Sequence, residues 1–135
     1  MIQIALYKPE IPPNTGNISR LCVGINAPLH IIGKPAFDIS EKAVRRAGLD
    51  HWEKLALKLH DSWEDFYSNL PNKDRIFLIT KFGKKIYSEI NFQKDDILVF
   101  GSETSGLPDF IHDSISGERK LKIPMLNESV RSLNL

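Results

Sequence analysis

Short apolar runs stopped by a glycine or a proline, alternating with stretches of helical spacing, constrain this chain more than any other feature. Ile2 to Tyr7 ends at Lys8-Pro9, Leu29 to Ile32 at Gly33-Lys34-Pro35, and Ile97 to Phe100 at Gly101. Ile76 to Ile79 runs into Thr80-Lys81, and Arg119 to Ile123 stops at Pro124. Runs this short read as buried strands rather than helices. Between them, Ile18, Leu21, Cys22 and Ile25 fall at i, i+3, i+4 and i+7, which predicts a helix with that face on a sheet. Ser40 can cap a helix reaching about Ala47, with Gly48 as its stop. Asp61 or Ser62 caps another, with Trp63, Phe66, Tyr67 and Leu70 inward and Pro71-Asn72 as its break. Leu55, Leu57 and Leu59 give a weak edge-strand pattern, and Phe110, Ile111 and Ile115 line a short helix. The alternation predicts an α/β domain, a mostly parallel sheet flanked by helices.

A length of 135 residues suits one domain with a single core. The net charge is +1, so any nucleic-acid binding must come from a local patch rather than a global field. The single cysteine, Cys22, excludes an internal disulfide and fits a reducing cytoplasm. On an apolar helix face its default is an inert buried thiol. No apolar run approaches the ~20 residues of a membrane span, and Met1 leads straight into Ile2 without a signal-peptide pattern. His30, His51, His60 and His112 are scattered, without metal-ligand spacing to Cys22, so no metal is expected. His30, inside a strand, reads as structural.

The stretch Phe100-Gly101-Ser102-Glu103-Thr104-Ser105-Gly106-Leu107-Pro108 places a polar loop between two glycines at a strand's carboxyl end. Ligands of open α/β sheets bind beyond such ends, and glycines let a ligand approach bare backbone. The spacing fits neither the P-loop nor the dinucleotide fingerprint. From the residues alone the loop is either a site or a strand-to-helix turn. Asn14, Asn17 and Arg20 occupy the first turns of the helix after the first strand. Asn14 could cap that helix or line a site, and Arg20 could face an anion or simply solvent. Lys42, Arg45 and Arg46 form one basic cluster, and Lys81, Lys84 and Lys85 another; each is a solvated face or a phosphate contact. No serine sits in a nucleophile elbow, and Glu103 is the one carboxylate in a loop of special geometry. Such a chain is built to hold a reactive cofactor rather than to supply a nucleophile.

Three segments together resemble the motifs of the SPOUT class of RNA methyltransferases. They are Asn14-Thr15-Gly16-Asn17-Ile18-Ser19-Arg20, the Phe100 to Pro108 loop, and Ile123-Pro124-Met125 followed by Arg131-Ser132-Leu133-Asn134-Leu135. Leu6-Tyr7-Lys8-Pro9-Glu10-Ile11-Pro12 and Arg45-Arg46-Ala47-Gly48-Leu49-Asp50 resemble the branch that methylates the ribose 2′-oxygen of the tRNA wobble nucleotide, a cytidine or modified uridine at position 34. The likeness spans essentially the whole chain. It implies a trefoil knot in the C-terminal part, a homodimer, and S-adenosylmethionine as cofactor, with S-adenosylhomocysteine as product. By positional match it implies a cofactor pocket of Ile79, Gly101, Ile123, Met125, Ser132 and Leu133. Arg20 and Asn17 match the motif facing the reactive methyl and the ribose, and Glu103 an acidic position beside the cofactor.

On that resemblance the two basic clusters become contacts for the anticodon stem-loop. Arginine side chains are not bases at neutral pH, so Arg20 is expected to pin a phosphate and stabilise a developing alkoxide rather than take the proton. That phosphate or Glu103 would take the proton. The resemblance implies a long helix after Ser-Leu-Asn-Leu, so one domain over 1–135 without that helix is expected, either because the sequence stops short of a real tail or because this is a shortened form. Methylation of ribosomal RNA and a binding-only RNA module on the same fold are the alternative readings.

Overall fold

The structure is a computed structural model and describes residues 2–37 and 53–126. Among them, seven strands form one sheet: β1 (Gln3–Tyr7), β2 (Leu29–Ile32), β3 (Leu57–His60), β4 (Ile76–Ile79), β5 (Lys85–Ile86), β6 (Ile97–Phe100) and β7 (Lys120–Lys122). Their order is β3-β2-β1-β6-β4-β7-β5, and every neighbouring pair is parallel. Three helices accompany them: α1 (Pro12–Gly24), α2 (Trp63–Ser68) and α3 (Asp109–Ser114). The five apolar runs land on β1, β2, β4, β6 and β7; of the alternating leucines, Leu57 and Leu59 fall on the edge strand β3 and Leu55 precedes it. The strand β5 was not expected. It has two residues inside a basic cluster, too few for any period to show, and exists by pairing Lys85 and Ile86 with Leu121 and Lys122. The helix expected from Ser40 to Ala47 lies outside the described residues.

Both sheet faces are covered, which is why the strands read as continuous apolar runs. On one face Ala5, Tyr7, Leu78 and Val99 pack with Trp63 and Phe66 of α2 and Ile111 of α3. Ser62 caps α2 by accepting the Asp65 N–H at 3.1 Å. On the other face Leu6, Leu29 and Ile31 pack with Cys22 of α1. Burial pushes the Cys22 thiol up to about 11, leaving it inert at neutral pH.

The sheet-facing stripe of α1 differs from the expected one. Leu21 is 59% and Ile25 37% exposed, whereas Thr15, Ser19 and Cys22 are buried. Small side chains let the helix lie close while the sheet's leucines and isoleucines supply the bulk. The Ser19 hydroxyl donates to Gly16 O at 2.7 Å, so its polarity is satisfied within the helix. The apolar period was real, but half of it points away from the sheet.

His30 of β2 is structural, as expected. One ring nitrogen, Nε2, lies 2.6 Å from Gln3 Oε1 and the other, Nδ1, 2.9 Å from His60 Nε2. The amide oxygen can only accept, so His30 Nε2 donates and Nδ1 receives the His60 N–H. Burial pushes His30 down to about 4, with the His60 ring and Lys58 adding to it. At the amino ends of the central strands, Arg75 donates to both oxygens of the fully buried Asp96, at 2.8 and 2.6 Å, tying the start of β4 to that of β6.

Candidate active site

The strand order changes direction at β1. From β1 the chain moves outward to β2 and β3, whereas β6 and β4 lie on its other side and lead to β7. Connections diverging this way leave a crevice beyond the strands' carboxyl ends. The loops after β1 and β6 meet there, held by two carboxylates that cross between them. Glu103, in the β6 loop, accepts from the N–H of Glu10 at 3.0 Å and of Ile11 at 2.6 Å, and from the Asn14 amide at 3.4 Å. In return Glu10 accepts from the Thr104 hydroxyl at 2.7 Å and the Thr104 N–H at 3.4 Å. The Thr104 hydroxyl holds the Glu10 carboxyl below its ordinary range.

The sequence around α1 explains why this latch exists. Helix α1 opens with Pro12-Pro13 and its N-cap is Ile11, whose side chain cannot accept a hydrogen bond. Asn14 is therefore not the cap; it sits buried in the first turn, directed at Glu103. Donors at the approach to the helix are served from another segment. Glu10 and Thr104 were missed from the sequence, and the available signal was this helix start without a capping residue.

The β6 loop is itself closed tightly. Ser102 and Gly106 exchange backbone bonds, the Gly106 N–H to Ser102 O at 2.9 Å and the Ser102 N–H to Gly106 O at 3.3 Å. The Ser102 and Ser105 hydroxyls bond at 2.8 Å. Gly106 has φ +65°, and a Cβ on Gly101 would lie 2.4 Å from the Gly106 carbonyl carbon, so both glycines are required by geometry. An open cleft of about 490 Å³ borders the loop, lined among others by Tyr7, Lys8, Lys34 and Ser105.

Ile79, Gly101 and Ile123 are brought to one rim. Ile79 ends β4, paired with Phe100 just before Gly101 and with Leu121, two residues before Ile123. Ile123 is 40% exposed, and Ile79 and Met125 are half-buried, so apolar side chains border bare strand-end backbone. Asn17 and Arg20 are exposed on α1, the helix whose approach Glu103 holds. Lys81 and Lys84 are exposed on the turn after β4, and Lys85 begins β5. Lys42, Arg45, Arg46, Ser132 and Leu133 lie outside the described residues. No group of side chains suited to a metal ion occurs among the described residues, and no helix there is long and apolar enough to cross a membrane.

A parallel α/β sheet with a latched crevice at its diverging strand ends defines a class of proteins that bind ligands in strand-end loops. Within it, the chain belongs to the SpoU rRNA methylase family, whose model matches residues 1–135. A protein from Escherichia coli (strain K12) named tRNA (cytidine(34)-2'-O)-methyltransferase is 45% identical over 135 residues, covering 100% of this chain and 85% of that protein. A solved structure described as giving structural insights into the 2-OH methylation of C/U34 on tRNA is 40% identical with a TM-score of 0.89, covering 99% of this chain and 86% of that one. An AdoMet-bound rRNA methyltransferase from Sinorhizobium meliloti shares the fold at 20% identity and a TM-score of 0.80, over 98% of this chain and 51% of that one.

Proposed function

We propose that this chain transfers a methyl group from S-adenosylmethionine to the ribose 2′-oxygen of the wobble nucleotide of tRNA, a cytidine or modified uridine at position 34. The observation that carries this reading is the 45% identity, across the whole chain, to a protein named for that reaction. The reading includes a C-terminal trefoil knot, one domain over 1–135, and a cytoplasmic homodimer. The outward Leu21 and Ile25 of α1 support a second copy as the cover of that face.

The rim fits the cofactor. Ile79, Ile123 and Met125 would flank the adenine, the backbone around Gly101 and Ile123 would hydrogen-bond its edge, and Ser132 and Leu133 would complete the wall. Bound there, the sulfonium supplies an electrophilic methyl group. The chain's own work is to hold the 2′-oxygen in line, which contributes roughly 7–11 kcal/mol, and to stabilise charge as the proton leaves. Arg20, exposed on α1, pins a substrate phosphate through its guanidinium and faces the developing alkoxide, with Asn17 beside it on the helix. Glu103 acts as a positioning residue. Its oxygens already accept three N–H groups that tie the start of α1 to the β6 loop, and the 2′-hydroxyl proton leaves to a solvent base. Lys81, Lys84 and Lys85, with Lys42, Arg45 and Arg46, contact the anticodon stem-loop backbone.

The test is incubation of the purified protein with methyl-labelled S-adenosylmethionine and, in parallel, unmodified tRNA or unmodified ribosomal RNA, followed by mass spectrometry of the digested RNA. A 2′-O-methyl group at nucleotide 34 is the expected product. Label found only in ribosomal RNA, or in neither RNA, would refute the reading.

A further inference from the structure

We infer that the turn after β4 is a stacking shelf for an unpaired nucleobase of the substrate RNA, with Phe82 as its platform. The inference rests on the RNA-methyltransferase reading and names how that site grips its substrate. Phe82 is 69% exposed, although a phenylalanine gains from burial. It cannot fold back because its turn is fastened on both sides. The Thr80 N–H donates to Leu121 O at 2.8 Å and the Lys84 N–H to Lys120 O at 3.1 Å. Within the turn, the Phe82 N–H donates to the Thr80 hydroxyl at 3.2 Å and the Gly83 N–H to Thr80 O at 3.1 Å. Gly83 lies against β7 so closely that a Cβ would sit 2.3 Å from the Leu121 carbonyl carbon. The ring is thus presented on a fixed support, which lowers the ordering cost of binding.

Its surroundings select the ligand. Lys81 Nζ lies 5.1 Å from the Phe82 ring centroid, and the His112 ring meets Phe82 edge-on at 6.2 Å. Lys84 and Lys85 follow in the chain, and Lys120 stands near enough to His112 to oppose its protonation. Asp109 and Asp113 of α3 are the acidic groups facing His112. An exposed ring among cations matches single-stranded nucleic acid, where bases stack and lysines meet the backbone. The shelf begins one residue beyond Ile79, at the proposed cofactor rim, so the base it would hold neighbours the reacting nucleotide.

The experiment uses an anticodon stem-loop RNA with 2-aminopurine next to the target nucleotide, tested on the wild type, Phe82→Leu and Phe82→Trp. Stacking predicts fluorescence quenching by the wild type and Phe82→Trp and its loss in Phe82→Leu. It also predicts a KM for RNA raised roughly tenfold in Phe82→Leu, with kcat within about twofold and calorimetric S-adenosylmethionine affinity unchanged. Wild-type quenching and KM retained in Phe82→Leu would overturn the shelf while leaving the methyltransferase reading intact. Loss of cofactor affinity would make Phe82 a pocket wall, and a shift in oligomeric state would make it a protein contact; either overturns the inference. If the wild type methylates no RNA, the reading beneath it falls as well.

Discussion

Replacing Glu103 separates a carboxylate that positions from one that moves a proton. It accepts two short backbone bonds, at 3.0 and 2.6 Å, and a longer one from Asn14 at 3.4 Å. Hydrogen bonds to a charged group contribute about 1.5–3 kcal/mol each. The exposed Ile11 N–H can be rehydrated, and the Glu10–Thr104 half of the latch survives, so Glu103→Ala is expected to cost roughly 2 kcal/mol. Glu103→Gln is expected to cost nearly as much, because its amide turns an N–H₂ group toward a donor. A proton acceptor adds a kinetic signature. Glu103→Gln would then also lower kcat by about 10²–10⁴. Urea unfolding at constant m, beside steady-state methyl transfer, reads both quantities. A stability loss under about 0.5 kcal/mol with a collapsed kcat would refute the positioning role.

Three further outcomes are expected. His30 has its folded pKa depressed to about 4, so between there and about 6.5 the unfolded chain binds more protons and stability falls as the solution is acidified. The loss from this group is roughly 2 kcal/mol between pH 7 and pH 5, and His30→Gln should flatten that slope in urea midpoints taken at the two pH values. Arg75→Met strands the fully buried Asp96 with the Gln93 N–H as its remaining donor, and should cost about 3–5 kcal/mol in chemical unfolding. Asp96→Asn should cost less, since the partly exposed Arg75 can take up water. Gly101→Ala forces the β6 loop open and should cost about 1–3 kcal/mol while weakening S-adenosylmethionine binding in calorimetry. Gly106→Ala, which has room but positive φ, should cost about 1–2 kcal/mol.

The strands were legible because a parallel sheet buried on both faces needs unbroken apolar runs, and Leu29 to Ile32, Ile76 to Ile79 and Ile97 to Phe100 match β2, β4 and β6 residue for residue. What the sequence concealed was of two kinds. The face of α1 was misassigned because periodicity finds an apolar stripe without saying what covers it, and here small polar residues meet the sheet while Leu21 and Ile25 face outward. The latch was hidden because Glu10 and Thr104 are 94 residues apart, and no local pattern encodes a bond of that range. The β6 loop was legible as special through its two glycines. Its partner across the crevice could have been sought from a helix that begins at Pro12 without a side-chain cap.

The latch also ties together two parts of the proposed site that the chain supplies separately. Gly101 and its loop border the rim where the adenine would lie, while Arg20 stands on α1, six residues and about 9 Å of helix rise beyond Asn14. A helix transmits displacement along its axis with little loss, and Glu103 fixes its first turn to the loop through Ile11 and Asn14. Opening the loop therefore moves the guanidinium, and disturbing the start of α1 reshapes the loop. Cofactor affinity and the orientation of Arg20 are in consequence not independent in this chain. A substitution at either end of the latch should change both, and that shared response separates a jointly built site from two surfaces that happen to be neighbours.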